Sequence, residues 1–103
     1  MFKVFKVSGT SMKPTACPGD LVLATKLSIR FIKKNNIVIF RDKIHSYIIK
    51  KISYIDKHQL MLTSDNHEGQ SIFTNKLLNK NIVSYRVLII LRIKYFNWIL
   101  KLL

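Results

Sequence analysis

Ser8-Gly9-Thr10-Ser11-Met12-Lys13-Pro14-Thr15-Ala16-Cys17-Pro18-Gly19-Asp20 holds two of the chain's three glycines and both of its prolines. These are the residues that force a backbone out of regular structure. Gly9 has access to angles closed to other residues, while Pro14 and Pro18 have theirs fixed. Apolar alternating runs flank the stretch, residues 2–7 before it and Leu21–Thr25 after it, so it reads as a rigid loop between two strands. A side chain on such a loop is presented rather than packed, which makes Ser11 the first candidate for chemistry. Turn serines are common and mostly bond their own backbone. The loop alone therefore leaves Ser11 either a turn residue or a nucleophile.

Downstream of the loop the strand pattern repeats. Residues 26–36 are polar and basic, with Asn35-Asn36 as a turn, and Ile37-Val38-Ile39-Phe40 is a continuous apolar run that fits a buried strand. Residues 41–43 turn the chain into a longer strand over 47–54. Asp56-Lys57-His58 makes the next turn, and Gln59–Thr63 returns as the hairpin partner. A polar loop at 64–71 and a last strand at 82–91 follow. Residues 94–103 fit an amphipathic helix. Many short strands separated by turn clusters predict a mostly β domain of coiled antiparallel sheets with a short C-terminal helix. The expected organisation is a core over residues 1–92, with 93–103 either part of that domain or lying in a membrane interface.

The composition narrows the partners. Eighteen Lys and Arg against five Asp and Glu give a formal charge of +13, which favours a polyanionic neighbour. The cations are dispersed rather than grouped, so nucleic acid is a weak expectation. One cysteine, Cys17, excludes an internal disulfide. The N-terminus lacks the apolar core of a signal peptide, and no run approaches the roughly 20 apolar residues of a membrane span. His45, His58 and His67 fit no zinc spacing, and there is no phosphate-cradling glycine loop, so no metal and no cofactor is expected.

Lys50 is the second candidate. It lies mid-strand beside Lys51, and period-two alternation sends the two to opposite faces. A lysine held against apolar surface loses hydration and its pKa falls, which makes the neutral amine a usable general base. With a serine hydroxyl it would form a Ser–Lys dyad. The alternative is that both lysines extend from an edge strand and discourage aggregation.

The order of these pieces resembles a known family. Ser11-Met12-Lys13-Pro14-Thr15 followed by Pro18-Gly19-Asp20-Leu21-Val22 is similar to the first box of the type I signal peptidase family and its LexA-like relatives. Residues 35–40 and 47–52 stand where that family has its second and third boxes, and Ser64-Asp65-Asn66…Ser71 resembles the last. The resemblance implies Ser11 as nucleophile and Lys50 as general base. It implies that Gly9, Thr10, Met12 and Pro14 form the substrate and oxyanion loop, and that Asp65, Asn66 and Ser71 support the lysine. It also implies a serine endopeptidase acting on precursor proteins or signal peptides. The amphipathic C-terminal segment and the charge of +13 suggest a place peripheral to an anionic membrane surface, with a cytoplasmic one as the alternative. Three departures stand out: Asn35-Asn36 replaces Gly-Asp, Ser64 replaces a glycine, and the closing Asp-Ser-Arg is missing. An inactive or self-cleaving LexA-like module is the alternative.

Overall fold

A computed structural model describes residues 1–26, 29–42, 46–66, 76–92 and 101–102. Seven strands form one antiparallel sheet: β1 (Phe2–Lys6), β2 (Leu21–Thr25), β3 (Ile37–Asp42), β4 (Ser46–Ile55), β5 (Gln59–Thr63), β6 (Leu77–Asn79) and β7 (Val83–Leu91). Their order across the sheet is β1-β2-β7-β3-β4-β5-β6. Two single 3-10 turns, Ile29–Phe31 and Lys80–Ile82, complete the described elements.

The position of β3 explains the run at residues 37–40. It is hydrogen-bonded to β4 on one side and β7 on the other. Its successive side chains point to opposite faces, and both faces are buried. Val38 and Phe40 join Ile32, Ile52, Leu60, Leu62 and Val83 in one apolar cluster. Ile39 joins Val7, Met12, Ala16, Val22 and Ala24 in the other. A strand with no solvent face has no need of alternation, hence its unbroken apolar sequence.

The mostly β, antiparallel expectation holds, and β2 and β5 have the expected bounds. Other boundaries differ. Arg41 and Asp42 continue β3 instead of turning, because they remain paired with Tyr47 and Ser46. The sequence reading did not contain β6. It is three residues long, too short for a period to register, and it forms only because β5 offers it an edge. The expected C-terminal helix falls largely outside the described residues, of which Lys101 and Leu102 are helical. Among the described residues no helix is long and apolar enough to cross a membrane.

Candidate active site

The serine loop is closed at its base by two backbone hydrogen bonds. Val7 N–H donates to the Asp20 carbonyl at 2.8 Å, and Gly19 N–H donates to the Val7 carbonyl at 2.9 Å. Gly9 and Gly19 sit at φ of 82° and 92°, a region costing most L residues about 1–2 kcal/mol, so both turns need glycine. The buried Asp20 accepts the Cys17 N–H at 2.8 Å. Met12 and Ala16, both fully buried, anchor the loop in the second apolar cluster. Ser11 is half-buried, while Thr10 and Pro14 are exposed. The Lys13–Pro14 bond is cis.

A second polar segment grips this loop from the end of β5. Asn66 N–H donates to the Ser11 carbonyl at 2.9 Å, and the Asn66 side-chain amide donates to the Thr10 carbonyl at 2.9 Å. Asp65 accepts the Thr15 hydroxyl and lies 3.4 Å from the Lys51 ammonium. Asp65 thereby staples the serine loop to β4, the strand that carries both lysines. Asp65 and Asn66, expected to support Lys50, hydrogen-bond the serine loop instead, Asp65 also pairing with Lys51; Ser71 lies outside the described residues.

Lys50 and Lys51 take the opposite faces that alternation predicts. Lys51 is part-exposed, whereas Lys50 is only 2% exposed. The register pairs Lys50 with Val38, and Ile52 lies two residues along on the same face. Burial among these aliphatic groups lowers the Lys50 pKa from its ordinary 10.5, because a charged amine loses its hydration there. Its Nζ donates to Ser64 Oγ at 2.8 Å, and Ser64 is itself only 4% exposed. Among the described residues Lys50 and Ser11 share no hydrogen bond; they are joined through Ser64-Asp65-Asn66.

A β-bulge decides what Lys50 faces. Near the turn, β4 and β5 pair Ile55 with Leu60 and Tyr54 with Met61. The ladder then slips by one residue at Ser53, so that Ile52 pairs with Leu62 and Lys51 with Thr63. The shifted register brings Ser64 opposite Lys50. Without the slip Asp65 would stand there, and a carboxylate against the amine would favour the ammonium form. The bulge thus gives the buried lysine a hydroxyl in place of a counter-ion. The sequence reading missed this role for Ser64, since a bulge leaves no mark in the hydrophobic pattern; the one available signal was a serine in place of the glycine of the last box.

The Asn35-Asn36 departure also has a structural account. Asn35 takes φ of 75°, the left-handed conformation that asparagine tolerates best after glycine. Asn36 Oδ1 accepts the Lys33 N–H at 2.9 Å, as a turn aspartate would. Asn35 N–H donates to the Ile52 carbonyl at 2.8 Å, and Ile52 N–H donates to the Asn36 carbonyl at 2.9 Å. The turn therefore still braces β4 two residues from Lys50. Among the described residues no group of three or more His, Cys, Asp or Glu is arranged to hold a metal.

A buried amine of lowered pKa releases its proton more readily than an ordinary lysine, and the loop tied to it through residues 64–66 carries a serine hydroxyl. Comparison with family models finds a match, described as Peptidase S24-like, over residues 2–85. No curated protein and no solved structure matches the chain. The match lies on the LexA-like side of the resemblance read from the sequence.

Proposed function

The chain belongs to the Peptidase S24-like family, and from that premise we propose that it is a serine endopeptidase with a Ser11–Lys50 dyad. Its substrates in this reading are precursor proteins or signal peptides. The neutral Lys50 amine takes the Ser11 proton as Oγ bonds to the scissile carbonyl carbon. The negative charge develops on the carbonyl oxygen, with the Ser11 N–H as donor. Collapse breaks the C–N bond, and the Lys50 ammonium gives its proton to the departing amine. Water then adds to the ester with Lys50 again as base, releasing the acid and restoring Ser11.

The observation that carries this reading is the state of Lys50: buried, lowered in pKa, and bonded to a hydroxyl, with no carboxylate partner among the described residues. The Ser11–Lys50 hydrogen bond forms when substrate enters, as catalytic hydrogen bonds in unliganded enzymes are often long. The exposed Thr10 and Pro14 frame the scissile bond in this reading, while the buried Met12 holds the loop in place from below.

A membrane-peripheral setting belongs to the same proposal. Val4, Leu23 and Ile89 stand opposite one another across three strands, and Lys6, Leu21 and Leu91 form the next row. Phe2, Val4, Ile89 and Leu91 are exposed on that face. Arg92, next to Leu91, donates to the Pro14 carbonyl, so the apolar face borders the serine loop. With a charge of +13, such a face suits an anionic lipid surface.

The family match favours a second reading, a LexA-like regulatory or binding module that is self-cleaving or inactive. Incubating the wild type, Ser11→Ala and Lys50→Ala with precursor peptides, read by mass spectrometry, separates the two. The dyad predicts cleavage by the wild type, reduced at least about a hundredfold in either variant. Equal cleavage by the wild type and Ser11→Ala would overturn it. No cleavage of any peptide in trans would favour the module, self-cleaving if the chain itself is cut and inactive if it stays intact.

A further inference from the structure

The β4–β5 turn, the Ile29–Phe31 turn and the segment after β6 enclose a cleft of about 480 Å³, lined by Arg30, Ile32, Lys57, His58, Asn79, Lys80, Asn81 and Val83. It stands apart from the serine site. Lys50 and Ile55, the last residue of β4, are five residues apart, roughly 16 Å of extended chain, and the cleft lies beyond Ile55. Its volume falls within the range of roughly 300–1,000 Å³ usual for small-molecule sites.

The chemistry of the walls is one-sided. Three cations, one from each enclosing segment, line it with a histidine and two side-chain amides, and among the described residues no carboxylate does. Arg30, Lys57 and Lys80 make no ion pair among the described residues. The nearest acid in sequence, Asp56, is turned into its own hairpin turn. Its Oδ1 accepts the His58 and Gln59 N–H groups, and its Oδ2 accepts the Tyr54 hydroxyl. The segments are fixed to one another rather than loosely apposed, since Lys80 N–H donates to the His58 carbonyl at 3.0 Å and Gln59 pairs with Asn79. The floor is Ile32 and Val83, both buried members of the first apolar cluster.

Cations gathered around a concave site without counter-ions repel one another, and a multiply charged anion removes that repulsion while accepting charge-assisted hydrogen bonds. An aliphatic floor beside amide donors suits the uncharged body of such a ligand. We propose that this cleft binds a small phosphorylated ligand, its phosphate groups held by Arg30, Lys57 and Lys80 and its body resting on Ile32 and Val83. The shared chemistry is the phosphate group, whether on a free metabolite or on a lipid headgroup. The site does not depend on the serine reading, because none of its residues belongs to the Ser11 or Lys50 network.

The test is a titration of the full chain with inorganic pyrophosphate at ionic strength held constant with sodium chloride, followed by amide chemical shifts and melting temperature. The variants are Arg30→Gln/Lys80→Gln and, as a control that removes the same charge elsewhere, Arg41→Gln/Lys26→Gln. The proposal expects saturable shifts at Arg30, Lys57, His58 and Asn81 with a rise in melting temperature. It expects affinity to fall about tenfold or more in the first variant and to stay within about threefold in the control. Parallel arms use vesicles containing phosphatidylglycerol and a single-stranded oligonucleotide. Pyrophosphate binding without a dependence of vesicle binding on Arg30 and Lys80 assigns a free phosphorylated ligand; dependence in both arms assigns a headgroup. Equal losses in the two double variants, or an oligonucleotide effect at these residues with no pyrophosphate effect, would overturn the proposal.

Discussion

The β4–β5 hairpin carries lysines toward both of its ends, under opposite conditions. Lys50 is sealed among Val38, Ile52 and Ser64, with one hydroxyl as its hydrogen-bond partner and its pKa lowered. Lys57, in the turn, is exposed at the rim of a cleft that also gathers Arg30 and Lys80. The side chain is the same; the surroundings decide its chemistry. A desolvated amine is pressed toward neutrality and becomes a base. A hydrated one remains a fixed charge for an anion to meet. One short hairpin therefore holds one lysine that burial presses toward neutrality and one left in water, and the bulge at Ser53 keeps the first from becoming an ordinary ion pair.

The comparison breaks most visibly at Lys50. Lys50→Met keeps the volume of the side chain and removes its charge, so the difference in stability from the wild type should depend on pH. Between the lowered folded pKa and the unfolded value, the unfolded wild type binds more protons, and wild-type stability climbs as pH rises. The advantage of the methionine variant is therefore greatest below the folded pKa and shrinks as pH approaches 10.5. Denaturant midpoints across a pH series measure it, and a difference that stays flat with pH would show that Lys50 carries no burial penalty. Next in size is Asn66→Ala, which removes the amide bond to the Thr10 carbonyl. It should cost about 1 kcal/mol of stability and lower peptide cleavage severalfold through looser placement of Ser11, as kinetics at saturating substrate would report. Smallest is Lys57→Met at the hydrated end, expected within about 0.5 kcal/mol of wild type in the same unfolding measurement.

How much of this was legible in the sequence varied with the kind of information. Residues 37–40 announced β3 because a strand buried on both faces must be apolar throughout. The serine loop was legible because its geometry needs Gly9 and Gly19 at positive φ, and no other residue type serves as well. Lys50 stood out as a charge inside an apolar run. Its partner did not, since Ser64 reaches it only through a one-residue slip that follows from the whole hairpin's packing. The cleft around Arg30, Lys57 and Lys80 was equally hidden. Its three cations come from segments far apart in the chain, and β6, which brings two of those segments together, is too short to leave a periodic trace.

The central claim is that burial makes Lys50 give up its proton more readily than an ordinary lysine. Its Nζ and Cε resonances, followed by NMR in the otherwise unmodified chain, test it most directly. The account predicts a titration midpoint clearly below 10.5, moving upward in Ser64→Asp, which puts a carboxylate where the amine now meets a hydroxyl. A Lys50 resonance that titrates at the ordinary lysine value in the folded chain would contradict it.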